Sequence, residues 1–156
     1  MEKLRRAHGG EHAQSLVEIA IVLPIFVFLV FGIIDFGMGL RTYISVAQAT
    51  REGARLGVVG NAAGTFTTGG SGDCNGTTTT TVVGKVCATL NGLDLTKVTS
   101  VSVAYPNGNS SGNSVRVTAT YSYQYITPIQ RLVGFFSGGT LGGAIPISST
   151  TDMRIE

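Results

Sequence analysis

Ile19-Ala20-Ile21-Val22-Leu23-Pro24-Ile25-Phe26-Val27-Phe28-Leu29-Val30-Phe31-Gly32-Ile33-Ile34 is a run of sixteen residues without a charge. As a helix it covers roughly 24 Å, a little short of a hydrocarbon core of about 30 Å. Extending the run to Leu16 and Leu40 gives a full span and brings in Glu18 and Asp35, one near each end, where headgroups and water are closest. The reading is a single transmembrane helix over residues 16–40. Pro24 removes one backbone hydrogen bond and is expected to loosen or bend the helix near residue 20, which a lipid-embedded helix tolerates.

Orientation follows from the flanking cations. Lys3, Arg5 and Arg6 precede the span and Arg41 follows it, so the denser N-terminal side is placed in the cytoplasm and the remainder outside it. A cleaved signal peptide would carry a shorter apolar region, about 7–15 residues, and then a small-x-small site. Here Arg41-Thr42-Tyr43 follows instead, which favours an uncleaved anchor.

Helical character continues beyond Arg41. Ala49, Gly53 and Gly57 recur every fourth residue and form one small-residue face. Two readings stay open: a face for close approach by other helices, or a seat for the chain's own sheet. Gln48, Glu52 and Arg55 suit a solvated edge, and Gly60-Asn61 is a plausible stop. The whole helix would run from about residue 15 to 59, roughly 65 Å. A rod of that length needs lipid or other copies of itself beside its first half.

The exported remainder is almost neutral. Over residues 61–156 it has Lys85, Lys97, Arg116, Arg131 and Arg154 against Asp73, Asp94, Asp152 and Glu156. It cannot make the many phosphate contacts that drive nucleic-acid affinity, so no nucleic-acid partner is expected. Residues 61–81 are rich in Gly and Thr and read as a long loop. Val82–Leu93 fits a short amphipathic helix. Val98–Tyr105 reads as a strand, residues 106–112 as a dense turn, and Ser114–Tyr125 as a strand with Val115, Val117, Ala119, Tyr121, Tyr123 and Tyr125 on one face. The tyrosines are read as inward-facing. A short helix over Thr127–Phe136 and a last strand over Ile147–Ile155 complete the chain. The fold class is α+β: a long N-terminal helix entering a small antiparallel sheet of three or four strands. The organisation is a leader at 1–13, the membrane and extended helix at 14–60, and an extracytoplasmic domain at 61–156.

Cys74 and Cys87 are the two cysteines. Outside the cytoplasm they are expected to form a disulfide tying the Gly/Thr loop to the short helix; a free pair is the alternative. There is no Cys-x-x-Cys spacing to suggest zinc or redox chemistry. Both histidines, His8 and His12, precede the span, so the exported part lacks the commonest general base and metal ligand. Gly108-Asn109-Ser110-Ser111-Gly112 has the form of a nucleophile elbow, but it joins two strands and has no His partner. No enzyme activity, metal or cofactor is expected.

Gln14-Ser15-Leu16-Val17-Glu18, Ala20, Leu23-Pro24, Gly32-Ile33-Ile34-Asp35-Phe36-Gly37 and Ala49-Thr50-Arg51-Glu52-Gly53-Ala54-Arg55 together resemble the TadE-like family of tight-adherence pilus proteins. The ending Met153-Arg154-Ile155-Glu156 is similar to the family's usual ending. The resemblance is specific over residues 14–60 and weak elsewhere. It implies a pilin-like fold and a type IV pilin-like N-terminus, stored in the membrane and processed by a prepilin peptidase. It also implies a subunit that packs with copies of itself or other pilins through its helix and meets the pilus assembly machinery. In that pattern Glu is the fifth mature residue; a cut between Ala13 and Gln14 makes Glu18 the fifth. Ala13 stands where the family more often has Gly.

The resemblance further implies that Glu18 meets the free amine of Gln14 on a neighbouring subunit and so sets axial register; otherwise Glu18 sits at the headgroup boundary. Asp35 either pairs with Arg41 of another helix or marks the outer interface, the second being favoured. The residues assigned to assembly are Glu18, Pro24, Asp35, Ala49, Gly53 and Gly57. A membrane-retained assembly or surface-interaction factor that never polymerises is the alternative to a pilus subunit.

Overall fold

The computed structural model describes residues 8–59, 74, 81–90, 92–108, 110–136, 138 and 143–156. The basic start of the leader, the Gly60-Asn61 stop and the loop at 61–81, apart from residues 74 and 81, lie outside the described residues. The chain divides into two compact units: Met1–Gly37 with Tyr125–Gly142, and Met38–Gln124 with Gly143–Glu156.

One helix serves both units. α1 spans His8–Val58 and passes through Pro24 without a break in the helix. It begins earlier than residue 15, because the polar residues before Gln14 contain no proline to stop it. Over Ala13–Val58 it holds a stretch long and apolar enough to cross a membrane, and the most apolar eighteen residues are 0% buried.

In the second unit the packed half of α1 lies against α2, Val82–Thr89. The Thr81 hydroxyl starts α2 by accepting from the Gly84 amide at 3.1 Å, an N-cap that satisfies one orphan donor. α2 is shorter than the expected Val82–Leu93 because the chain turns at Leu90, whose amide still reaches the Val86 carbonyl. Asp94 then caps a single 3-10 turn at Leu95–Lys97, accepting from the Thr96 amide and hydroxyl.

The sheet has three strands in the order β1-β2-β3, all antiparallel neighbours. β1 is Val98–Ala104, β2 Ser114–Tyr123 and β3 Ile145–Arg154. The β1–β2 hairpin sets Val103 opposite Val117, with a register shift between Val98 and Ser100. Its long turn uses Gly108 and Gly112 at φ +92° and +90°, conformations that side chains disfavour. The end of β3 closes on this turn: the Gly112 amide donates to the Ile155 carbonyl at 2.8 Å, and the Ile155 amide to the Asn113 carbonyl at 2.7 Å.

Period-two alternation decides what each face does. Val101, Val103, Val115, Val117, Ala119, Tyr121 and Tyr123 are buried with Val46, Ala49, Val82, Val86 and Leu90. The opposite face of β2 and β3 is polar and ordered in rows: the Thr118 and Thr150 hydroxyls meet at 2.9 Å, and Arg116 binds Asp152 through its Nε at 2.9 Å. The expected inward tyrosines hold at Tyr121 and Tyr123. Tyr105 and Tyr125 lie beyond the strand ends and are half-buried. Between β2 and β3 the chain makes α3, Ile129–Phe136, which belongs to the first unit.

Candidate assembly surface on the N-terminal helix

Most of the first half of α1 shows exposed apolar side chains, while Val27, Val30 and Phe31, on the side of Asp35, are half-buried. Leu16, Ile21, Ile25 and Phe36 are 64–69% exposed. Water would not tolerate a bare surface of this kind on a folded protein, since each such side chain gains roughly 1.5–3 kcal/mol on leaving water. A helix apolar all round is one surrounded by lipid or by protein. Ala13, Gln14 and Glu18 are exposed at its start. Glu18 heads a shallow groove of about 340 Å³ whose other walls are Ile19, Val22, Leu23 and Phe26. A carboxylate beside such a groove is costly in an apolar setting unless a cation or water meets it. Pro24 lies within this exposed stretch, and a Cβ at Gly32 or Gly37 would meet nothing within 4 Å.

Asp35, at the end of this surface, is turned into its own chain. It is 4% exposed. Its Oδ1 accepts from the Ile126 amide at 3.0 Å and the Thr127 amide at 3.2 Å, and its Oδ2 accepts from the Thr127 hydroxyl. The carboxylate therefore binds the segment leading into α3 of its own chain. A boundary charge facing water would have shown an exposed side chain. No local pattern could foretell this, because the partners lie 91 and 92 residues away; the one hint is Thr127-Pro128, a helix-start signal.

The small-residue face is also turned inward. Ala49 is fully buried, and Gly53 and Gly57 are buried. A Cβ on Gly53 would overlap Cγ2 of Val86, and one on Gly57 would stand 3.1 Å from Cγ2 of Val115. Of the two readings, the geometry is that of a seat for the chain's own α2 and β2. This corrects the assignment of Ala49, Gly53 and Gly57 to contacts between copies: the space is already filled within one copy. Thr50, fully buried on the next face, escaped the sequence reading. Its hydroxyl meets that of Thr151 at 2.9 Å and so fastens α1 to β3.

Cys74 and Cys87 form the expected disulfide, with Cα atoms 5.1 Å apart. Among the described residues, no three His, Cys, Asp or Glu side chains gather as a metal ion would require. Hydrogen bonding and then the charge of Arg116 hold the Asp152 carboxyl below its ordinary range; hydrogen bonds from Thr96 do the same for Asp94; burial pushes the Tyr121 phenol up.

No curated protein and no solved structure matches the chain. Residues 13–55 match the family model described as TadE-like protein. The matched segment takes in Ala13, Gln14, Glu18, Pro24, Asp35, Ala49 and Gly53, and ends before Gly57 and both cysteines. The exposed apolar half of α1 and most of its packed half are therefore a TadE-like segment, residues 13–55.

Proposed function

We propose that the chain is a pilin-like structural subunit of a tight-adherence pilus. The TadE-like segment associates the chain with that system. The observation that carries the proposal is the bare apolar half of α1 joined to a folded sheet unit. Such a helix can be stored in a bilayer and later packed against like helices without refolding the sheet unit. In this reading the N-terminus is cytoplasmic, the sheet domain is exported and available for surface attachment, and no catalysis is involved. Glu18, placed at the head of its groove, would meet the amine of Gln14 on a neighbour after cleavage by a prepilin peptidase, and so fix axial register.

A second reading rests on Ala13 in the position before the cut: an unprocessed chain that stays in the membrane and assists assembly. Two measurements separate them. Filaments sheared from cells and probed for this chain should contain it, with Gln14 as the mature N-terminus by mass spectrometry. A Glu18→Ala variant should still enter the membrane yet be lost from filaments. Absence of the wild-type chain from filaments, with residues 1–13 retained, would overturn the subunit proposal and leave the membrane-retained factor.

A further inference from the structure

α3 has an apolar stripe: positions 129, 132, 133 and 136, all apolar, recur at helical spacing, with Gln130 and exposed Arg131 on the other side. It belongs to the same compact unit as the apolar half of α1. Asp35 holds the segment that leads into it. That residue follows Ile33-Ile34, the last of the uncharged run, and its carboxylate holds the Ile126 and Thr127 amides. α3 begins two residues after Thr127, and the Ile129 amide donates to the Thr127 hydroxyl at 3.4 Å. If α1 spans the bilayer through Ile34, the loop bound to Asp35 sits where hydrocarbon gives way to headgroups, a layer about 5–8 Å deep on each side.

We propose that α3 is a membrane-surface helix, held by the Asp35 clamp in the headgroup layer. This rests on the reading of α1 as a membrane span. Two observations point to lipid as the neighbour of this segment. Ile126 is 61% exposed although its amide is fastened at the end of the span, an unfavourable place for it in water and a favourable one at a lipid boundary. Tyr125 precedes it, and tyrosine is enriched at that depth. A second copy is the weaker candidate: a stripe from an eight-residue helix cannot cover the roughly 800 Å² per partner of a stable pair. Asp35 thereby becomes a positioning residue that sets the height of the exported domain's membrane-facing helix.

The chain contains no Trp, so a single introduced indole reports its own position. The full chain would be reconstituted in phosphatidylcholine/phosphatidylglycerol vesicles carrying Ile126→Trp, Ile129→Trp, Arg131→Trp or Phe26→Trp. Lipids brominated near the headgroup end of their chains should quench Ile126→Trp and Ile129→Trp severalfold more than Arg131→Trp, which iodide in water should quench instead. Equal iodide quenching at all three α3 sites would overturn the proposal, and so would blue-shifted emission at residues 126 and 129 that bromolipid leaves unquenched, the signature of protein contact. Phe26→Trp tests the span itself: it should be quenched by lipids brominated deep in the chain. Failure there defeats the membrane-span reading, whereas failure at α3 alone defeats only this inference.

Discussion

Gly53 of α1 and Val86 of α2 touch so closely that a Cβ on the glycine would occupy the space of the valine Cγ2. Both residues are buried, and Val86 is fully so. Contact at this range is available only to glycine, and it lets α1 sit directly on α2 and β2. The glycine weakens α1 by about 1 kcal/mol relative to alanine in helix propensity, so packing must outweigh that cost.

Gly53→Ala therefore sets two effects against each other. The gain in helix propensity is about 1 kcal/mol, while overpacking a tight core costs about 1–3 kcal/mol. Val86 is a buried, β-branched side chain with little freedom to move aside, so overpacking wins. Denaturant unfolding of the detergent-solubilised chain should show Gly53→Ala less stable than wild type. Gly57→Ala, with 3.1 Å available to Val115, should lie close to wild type. Equal stability of the two variants would contradict the close approach at Gly53.

The Asp35 clamp predicts a local change rather than a global one. Asp35→Ala leaves the Ile126 and Thr127 amides and the Thr127 hydroxyl without their acceptor. Each unsatisfied group costs about 1–3 kcal/mol if it stays buried, so the segment should detach and find water. Arg131, exposed in α3, is then a reporter: trypsin should cut after it faster in Asp35→Ala than in wild type, while cleavage at Arg116 in β2 stays slow. Thr127→Val removes only the hydroxyl and should fall between the two.

What could be read from the sequence alone divides along a physical line. Properties carried by neighbouring residues were legible: the uncharged run of α1, the alternation of β2, and the disulfide expected of two cysteines outside the cytoplasm. Properties that depend on which surfaces meet were not. The spacing of Ala49, Gly53 and Gly57 defines a face, but nothing in that spacing says whether a neighbouring helix or the chain's own α2 and β2 will cover it. Asp35 is the sharper case. An acid at the end of an apolar run looks the same whether it faces headgroups or a loop 91 residues on. Thr50 and Thr151 likewise carry no mark of being partners, 101 residues apart.

The disulfide between Cys74 and Cys87 closes a loop of sequence separation 13. In the chain-entropy account, a loop of this length contributes about 3 kcal/mol by restricting the unfolded chain. Cys87 is also buried in the core beside α2's other inward residues. Reduction, or a paired Cys74→Ser and Cys87→Ser replacement, should lower unfolding stability by about that amount. A thermal midpoint indifferent to reductant would show that the bridge does not restrain the sheet unit.

Acid should act on the sheet unit through its carboxylates, in a direction that can be worked out. The Asp152 carboxyl is depressed from its ordinary value of 3.8 by hydrogen bonding to Arg116 and then by that residue's charge. Asp94 is depressed from the same value, first by the Thr96 hydroxyl and then by the Thr96 amide. A carboxyl with a lower value in the folded state than in the unfolded chain contributes stability above the unfolded value and loses it as pH falls through the folded one. Stability should therefore be insensitive to these groups from neutral pH down to about 5 and decline below about 4. Asp152→Asn combined with Asp94→Asn should flatten that decline and lower the neutral-pH plateau slightly, because both groups are solvent-exposed and their interactions are screened. Added salt should weaken the Arg116–Asp152 share of the effect and spare the part due to the neutral donors of Thr96. A decline of unchanged steepness in the double variant would place the acid-sensitive groups elsewhere.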